Sequence, residues 1–141
     1  MKLGSIVLLM AAAVTMSACC NCGKKTANTI TALTEGEWQL MQLDGHAFKA
    51  EDDRFTLSFT ADNKVAGKGD CNRMHGSYEV NLIQGTLSFA PLASTRMMCP
   101  NQADEDRYMR MFDKIDAYKI DGKMLLLFSD GEVKMMFERK R

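Results

Sequence analysis

Strict alternation of apolar and polar residues, broken by pairs of turn-forming residues, constrains this chain more than any other feature of its sequence. Phe55, Leu57 and Phe59 alternate with Arg54, Thr56, Ser58 and Thr60. Tyr78, Val80 and Leu82 alternate with Glu79 and Asn81, and Leu87 and Phe89 flank Ser88. A period of two places one set on a buried face and the other in water, the signature of a sheet covered on one side. Asp62-Asn63, Gln84-Gly85, Asp121-Gly122 and Asp130-Gly131 punctuate these runs, and such pairs tolerate the positive backbone angles of tight hairpins. Met124 to Phe128 is a continuous apolar run, as for a strand covered on both faces, with Val133, Met135 and Phe137 as its hairpin partner.

One segment departs from this rhythm. After Cys99-Pro100, Asn101 is placed to cap a helix whose first turns carry Asp104, Glu105 and Asp106, acids suited to the positive end of the helix dipole. Tyr108, Met111, Phe112 and Ile115 then recur at helical spacing, with Arg107, Arg110, Asp113 and Lys114 facing away. The expected class is α+β: a strongly bent antiparallel sheet or partial barrel of about eight strands. One main amphipathic helix over about residues 101–117 covers it.

The N-terminus reads as an address. Met1-Lys2 supplies a positive start, Ile6 to Val14 an apolar core, and Met16-Ser17-Ala18-Cys19 a small-residue approach to a cysteine. That sequence resembles a bacterial lipobox, in which Cys19 becomes the first mature residue and carries acyl chains. Residues 1–18 are therefore expected to be a lipoprotein signal peptide, and 19–33, without apolar periodicity, an acylated cysteine followed by a flexible tether. Residues 34–141 form the expected domain, long enough to bury one core without a partner. Lys+Arg and Asp+Glu both number 18, and removal of the signal takes away only Lys2, which leaves 17 against 18. A chain so balanced carries no basic excess for nucleic acid. The expected localisation is the cell envelope, lipid-anchored on the outer membrane and facing the periplasm, with a monomeric domain.

Export bears on Cys71 and Cys99, each set among polar and turn-forming residues. In an oxidising compartment the two are expected to form a disulfide, whose loop closure stabilises a domain by roughly 3–4 kcal/mol on the chain-entropy model. A zinc site would draw on Cys71, His75, Cys99 and His46, but this spacing lacks the paired ligands of a zinc signature. A Cys-His nucleophile is a further alternative, weakened by the second cysteine. The methionines, among them Met97-Met98, Met109, Met111 and Met135-Met136, suit a soft-metal site or a buried core; the expectation is core. No catalytic set, metal or cofactor is expected.

Gly69-Asp70-Cys71-Asn72-Arg73, Gly76-Ser77-Tyr78 and Thr95-Arg96-Met97-Met98-Cys99 together resemble the META domain of HslJ-type bacterial proteins. Gly36-Glu37-Trp38-Gln39-Leu40 with Asp44-Gly45, the acidic helix and the Leu125 to Phe128 strand fit the same pattern. The resemblance implies a small α+β domain, often on a lipoprotein signal, associated with heat-shock induction and novobiocin resistance in bacteria and with secretion or motility in some parasites. It implies no catalytic residue and no cofactor. Asn72, Arg73, Thr95 and Arg96 are the candidate binding or structural residues. Arg73 and Arg96 are expected to pair with a carboxylate such as Asp70, or else to serve a ligand's acidic group. The functional expectation is a non-enzymatic, membrane-anchored envelope protein tied to stress or antibiotic tolerance, with an unknown protein or small-molecule partner. The alternative is a small envelope inhibitor of a protease or lysozyme.

Overall fold

Turn residues set the hairpins by adopting left-handed backbone angles. Asp44-Gly45 and Asp130-Gly131 both have positive φ at both central positions (49° and 81°, 52° and 78°), the mirror-image geometry that matches strand twist. Gly122 alone is positive in the Gly122-Lys123 turn. The computed structural model describes residues 30–141. Cys19, the signal peptide at 1–18 and tether residues 19–29 lie outside the described residues.

The chain runs α1 (Ile30–Thr34), β1 (Glu37–Leu43), β2 (His46–Ala47), β3 (Thr56–Phe59), β4 (Lys64–Lys68), β5 (Arg73–Asn81), β6 (Thr86–Phe89) and β7 (Ala93–Ser94). It continues as α2 (Gln102–Met111), a short 3₁₀ turn (Phe112–Lys114), β8 (Ala117–Asp121), β9 (Met124–Ser129) and β10 (Glu132–Arg139). Every pairing is antiparallel, in the order β10-β9-β8-β6-β5-β4-β3-β1. Pairing of β1 with β10, from Trp38 opposite Arg139 to Leu43 opposite Met135, joins the ends. The result is a closed eight-stranded barrel rather than a partial one, with β2 and β7 added outside the ring. Its weakest seam is β6–β8, where only Thr86 and Ala117 pair in register. Hydrogen bonds from Leu87 N to Asp116 O and Tyr118 N to Gly85 O brace it.

Because neighbours alternate in direction around the ring, the barrel has two distinct rims. One carries the entry into β1, the loops 60–63, 82–85 and 122–123, and the end of β10. The other carries the β4–β5 connection at 69–72, α2 and the turns at 44–45 and 130–131. Each rim is plugged. Leu33 of α1 is fully buried and its carbonyl accepts the Trp38 indole N–H at 3.0 Å. At the opposite rim Tyr108 of α2 packs edge-on against Phe55 and Phe112, with Phe112 against Phe89 in turn.

Several expectations are corrected here. Residues 30–33, read as the end of a tether, belong to the folded unit because Leu33 closes a rim of the core. The helix stops at Met111, tightens into the 3₁₀ turn and yields to strand at Ala117, rather than running to 117. The Met124 to Phe128 run is not buried on both faces: Leu125 and Leu127 point into the barrel, while Met124, Leu126 and Phe128 lie half-exposed outside. Leu82 is exposed beyond the end of β5 instead of continuing its buried face. Phe55 precedes β3 with φ 53°, an unusual angle for a bulky residue, fixed by Phe55 N to Gly69 O (3.1 Å) and Leu40 N to Phe55 O (3.0 Å).

Leu125→Ala is expected to cost about 2–5 kcal/mol in urea unfolding, the range for a fully buried leucine. Leu126→Ala, one residue along and outside the ring, is expected to cost less than about 1.5 kcal/mol.

Candidate functional site

The residues singled out by sequence converge at the α2 rim. Cys71 and Cys99 form a disulfide, with Cα atoms 5.5 Å apart, that ties the β4–β5 connection to the segment entering α2. The bridge consumes both thiols, so neither the zinc nor the nucleophile alternative keeps its sulfur.

Beside the bridge, Asn72 is buried and all of its side-chain polar capacity is spent on the loop opposite. Its Oδ1 accepts from Met97 N (2.7 Å) and from the Thr95 hydroxyl (2.9 Å), while Nδ2 donates to Met97 O (3.1 Å) and Cys99 Sγ (3.2 Å). An asparagine amide presents one acceptor and two donor hydrogens in a plane, so it pairs with the Met97 backbone as a strand residue would. Thr95 completes the knot: its Oγ1 accepts from Arg73 N at 3.0 Å, and its own N–H donates to Arg73 O at 3.0 Å.

Two carboxylates cross between this connection and α2. Glu105, on the helix and buried, accepts the backbone N–H groups of Asp70 and Cys71, the latter at 3.3 Å. Gly69 makes room for it, since a β-carbon at that position would sit 2.7 Å from the Glu105 carboxyl carbon. In return Asp70, whose side chain is fully buried, reaches the start of α2, where Asn101 donates from its backbone N (3.0 Å) and Nδ2 (3.3 Å). Asn101 is therefore not the side-chain cap of the helix; Asp70 supplies the anion at the positive end of the dipole. Arg54 completes the set, with Nη1 3.1 Å from Asp70 Oδ1.

Burial opposes ionisation of Asp70, but the Asn101 hydrogen bonds and the Arg54 guanidinium outweigh it and hold the carboxyl below its usual value of 3.8. Tyr108 behaves oppositely: burial, with Glu105 and Glu37 adding repulsion, pushes its phenol well above the ordinary 10.0, and its hydroxyl donates to Thr56 O at 3.0 Å.

Arg54 thus takes the place expected of Arg73 or Arg96. Arg73 and Arg96 are exposed, and neither joins an ion pair among the described residues. Met97 and Met98 are also corrected: 57% and 94% exposed, they crown the loop instead of filling the core, whereas Met111 and Met135 are buried as expected. His46 and His75 are exposed on β2 and β5, apart from any group of metal-ligating side chains among the described residues. Between the Thr95–Cys99 loop and α2 runs an open groove of about 460 Å³, lined by Asn72, Leu92, Thr95, Arg96, Met97, Met98, Glu105 and Met109 among others. It brings together Asn72, Thr95 and Arg96 and leaves Arg73 outside. Arg54 and Glu105 are the participants sequence reasoning missed as partners of the motif.

These features define a class: small closed β-barrels with one capping helix, locked at one rim by a disulfide and crossed carboxylates. Within that class the chain belongs to the META domain family, whose model matches residues 31–141. No curated protein matches it. Among solved structures it is similar to a protein from Burkholderia xenovorans determined by NMR, with 27% identity and a TM-score of 0.61 over 78% of this chain and 85% of that one. A second NMR structure shares 21% identity, with a TM-score of 0.63 over 79% of this chain and 94% of that one. A DUF4847 family protein from Bacteroides vulgatus shares the fold at 14% identity, with a TM-score of 0.59 over 79% and 98% of the two chains.

Two measurements check the lock. Gly69→Ala is expected to destabilise the domain by about 1–3 kcal/mol through overpacking against Glu105. Combined with Glu105→Ala, which removes the clashing carboxylate, it should cost clearly less than the sum of the two single changes. Asp70 stabilises the fold in its ionised form, so its contribution is complete above its unfolded value, about 3.8, and disappears as pH falls through the lower folded value. Asp70→Asn is therefore expected to be less stable than the parent at neutral pH and to converge with it in strong acid, read by chemical denaturation across the range.

Proposed function

We propose that this META-family protein is a membrane-anchored, non-enzymatic lipoprotein of the cell envelope that contributes to stress or antibiotic (novobiocin) tolerance by binding a partner. The observation that carries the reading is the pairing of Met16-Ser17-Ala18-Cys19 with a Cys71–Cys99 bridge at the centre of the fold's polar lock. Structural disulfides belong to oxidising compartments, and a lipobox is an address for one. The non-enzymatic reading draws on how the motif spends its polar groups: Asn72, Thr95 and Asp70 bond inward to the fold. Arg96, Met97 and Met98, exposed beside that groove, are the surface offered to a partner.

Inhibition of an envelope protease or lysozyme is a second reading, favoured by one feature. The Thr95–Cys99 segment is pinned by the disulfide and by Asn72, yet presents Met97 and Met98 to solvent, and a rigid exposed loop loses little entropy on binding.

Cys19→Ser is expected to abolish incorporation of radioactive palmitate and to release the protein from the membrane fraction; undiminished labelling would remove the lipoprotein assignment. A deletion strain is expected to show raised heat and novobiocin sensitivity, restored by the parent gene. Inhibition of a purified lysozyme or protease by the protein, lost on Met98→Asp, would instead establish the second reading.

A further inference from the structure

The rim opposite the lock carries an apolar tip that the proposed function does not use. Ile83 is 97% exposed and Leu82 40% exposed in the β5–β6 hairpin. Their presentation is fixed. Asn81 Oδ1 accepts from Ile83 N and Gln84 N, both at 3.0 Å, Asn81 O accepts from Gly85 N at 2.8 Å, and Gly85 takes φ 70°. Such an Asx-type loop holds its two apolar side chains outward rather than letting them fold back.

The rim's position says what they meet. Strand alternation puts the 82–85 tip on the same rim as α1, where the chain enters from Cys19. Eleven positions separate Cys19 from Ile30, a reach of at most about 40 Å. An acylated Cys19 therefore confines the domain to within that distance of the bilayer, and the chain enters the domain at this rim. Two of its cations are paired, Lys140 3.0 Å from Glu37 and Arg139 3.3 Å from Glu35, while Lys123 and Arg141 lie beside them, so net-neutral phosphatidylcholine is the lipid that separates apolar insertion from headgroup attraction.

We propose that Leu82 and Ile83 form a membrane-contacting tip that inserts into the interfacial region of the bilayer and stands the barrel upright on it, with the groove at the α2 rim facing away. This rests on the lipoprotein reading. Two side chains add little affinity of their own; their effect, once the lipid anchor confines the domain, is to select one orientation.

The test uses the full acylated chain reconstituted in phosphatidylcholine vesicles with brominated acyl chains, which quench only nearby tryptophan. The native Trp38 is fully buried, so Ile83→Trp and, as control, Met98→Trp at the far rim each add one exposed reporter. The Ile83→Trp reporter is expected to lose about half its emission or more, as for a ring about 5–10 Å into the headgroup and acyl boundary. The Met98→Trp reporter should be unchanged, and added salt should alter neither. Equal quenching of the two, or of neither, in protein that floats with the vesicles overturns the tip while leaving the anchor intact. Protein that does not float overturns the anchor and the tip together. A blue shift of the Ile83→Trp reporter that depends on protein concentration without lipid assigns the tip to a second copy and overturns the proposal.

Discussion

The exchange of carboxylates between the β4–β5 connection and α2 is the contact through which the lower half of the molecule is organised. Glu105 reaches from helix to strand connection and Asp70 from strand connection to helix. Glu105 sets its carboxylate against the backbone N–H groups of Asp70 and Cys71, and Asp70 sets its own against Asn101 N and Nδ2 and the Arg54 guanidinium, charge-assisted bonds that offset the cost of burial. Because the two run in opposite directions, α2 is fixed in both translation and tilt. That fixes Tyr108 and Phe112 over the barrel's open end, and with them the aromatic chain from Phe55 to Phe89. The disulfide adds a covalent tie at the same place, but the carboxylates decide where the helix lies.

The same economy accounts for the inward-facing polar groups of the motif. Gly69 gives space, Asp70 the anion at the helix start, Cys71 the bridge and Asn72 a strand-like pairing with Met97. Four consecutive residues are thus committed to internal structure for four separate physical reasons. Arg73 and Arg96 with Met97 and Met98 remain outward, as charge and soft apolar surface.

Much of this was legible in the sequence because it is local. Alternation at Phe55–Phe59 and Tyr78–Val80, Asp-Gly turns and the helical spacing of Tyr108, Met111 and Phe112 each encode their conformation within a few residues. Closure was not legible, because pairing of Trp38 with Arg139 depends on the curvature of all eight strands together. Asp70 was recognised as a partner for arginine, but Arg54 lies sixteen residues away on another element, and only the tertiary fold favours it over Arg73 next door. Leu33 looked like tether because one buried leucine has no period. Phe55 gives no local sign of its positive φ, since bulky residues rarely adopt one and this one is held by strands on either side.

Joining of β1 to β10 has a temporal side. A chain made from its N-terminus forms the β3–β4 and β4–β5 hairpins early, but β1 must wait for the last strand, about a hundred residues later, before one of its edges is covered. Until then β1 and β9 are both open templates for a wrong neighbour. Completion is correspondingly abrupt: the final eight residues of strand, Glu132–Arg139, seal two edges at once and bring Met135 and Phe137 into the core in the same step. A premature stop before β10 would therefore leave not a slightly shorter barrel but an unclosed, adhesive sheet.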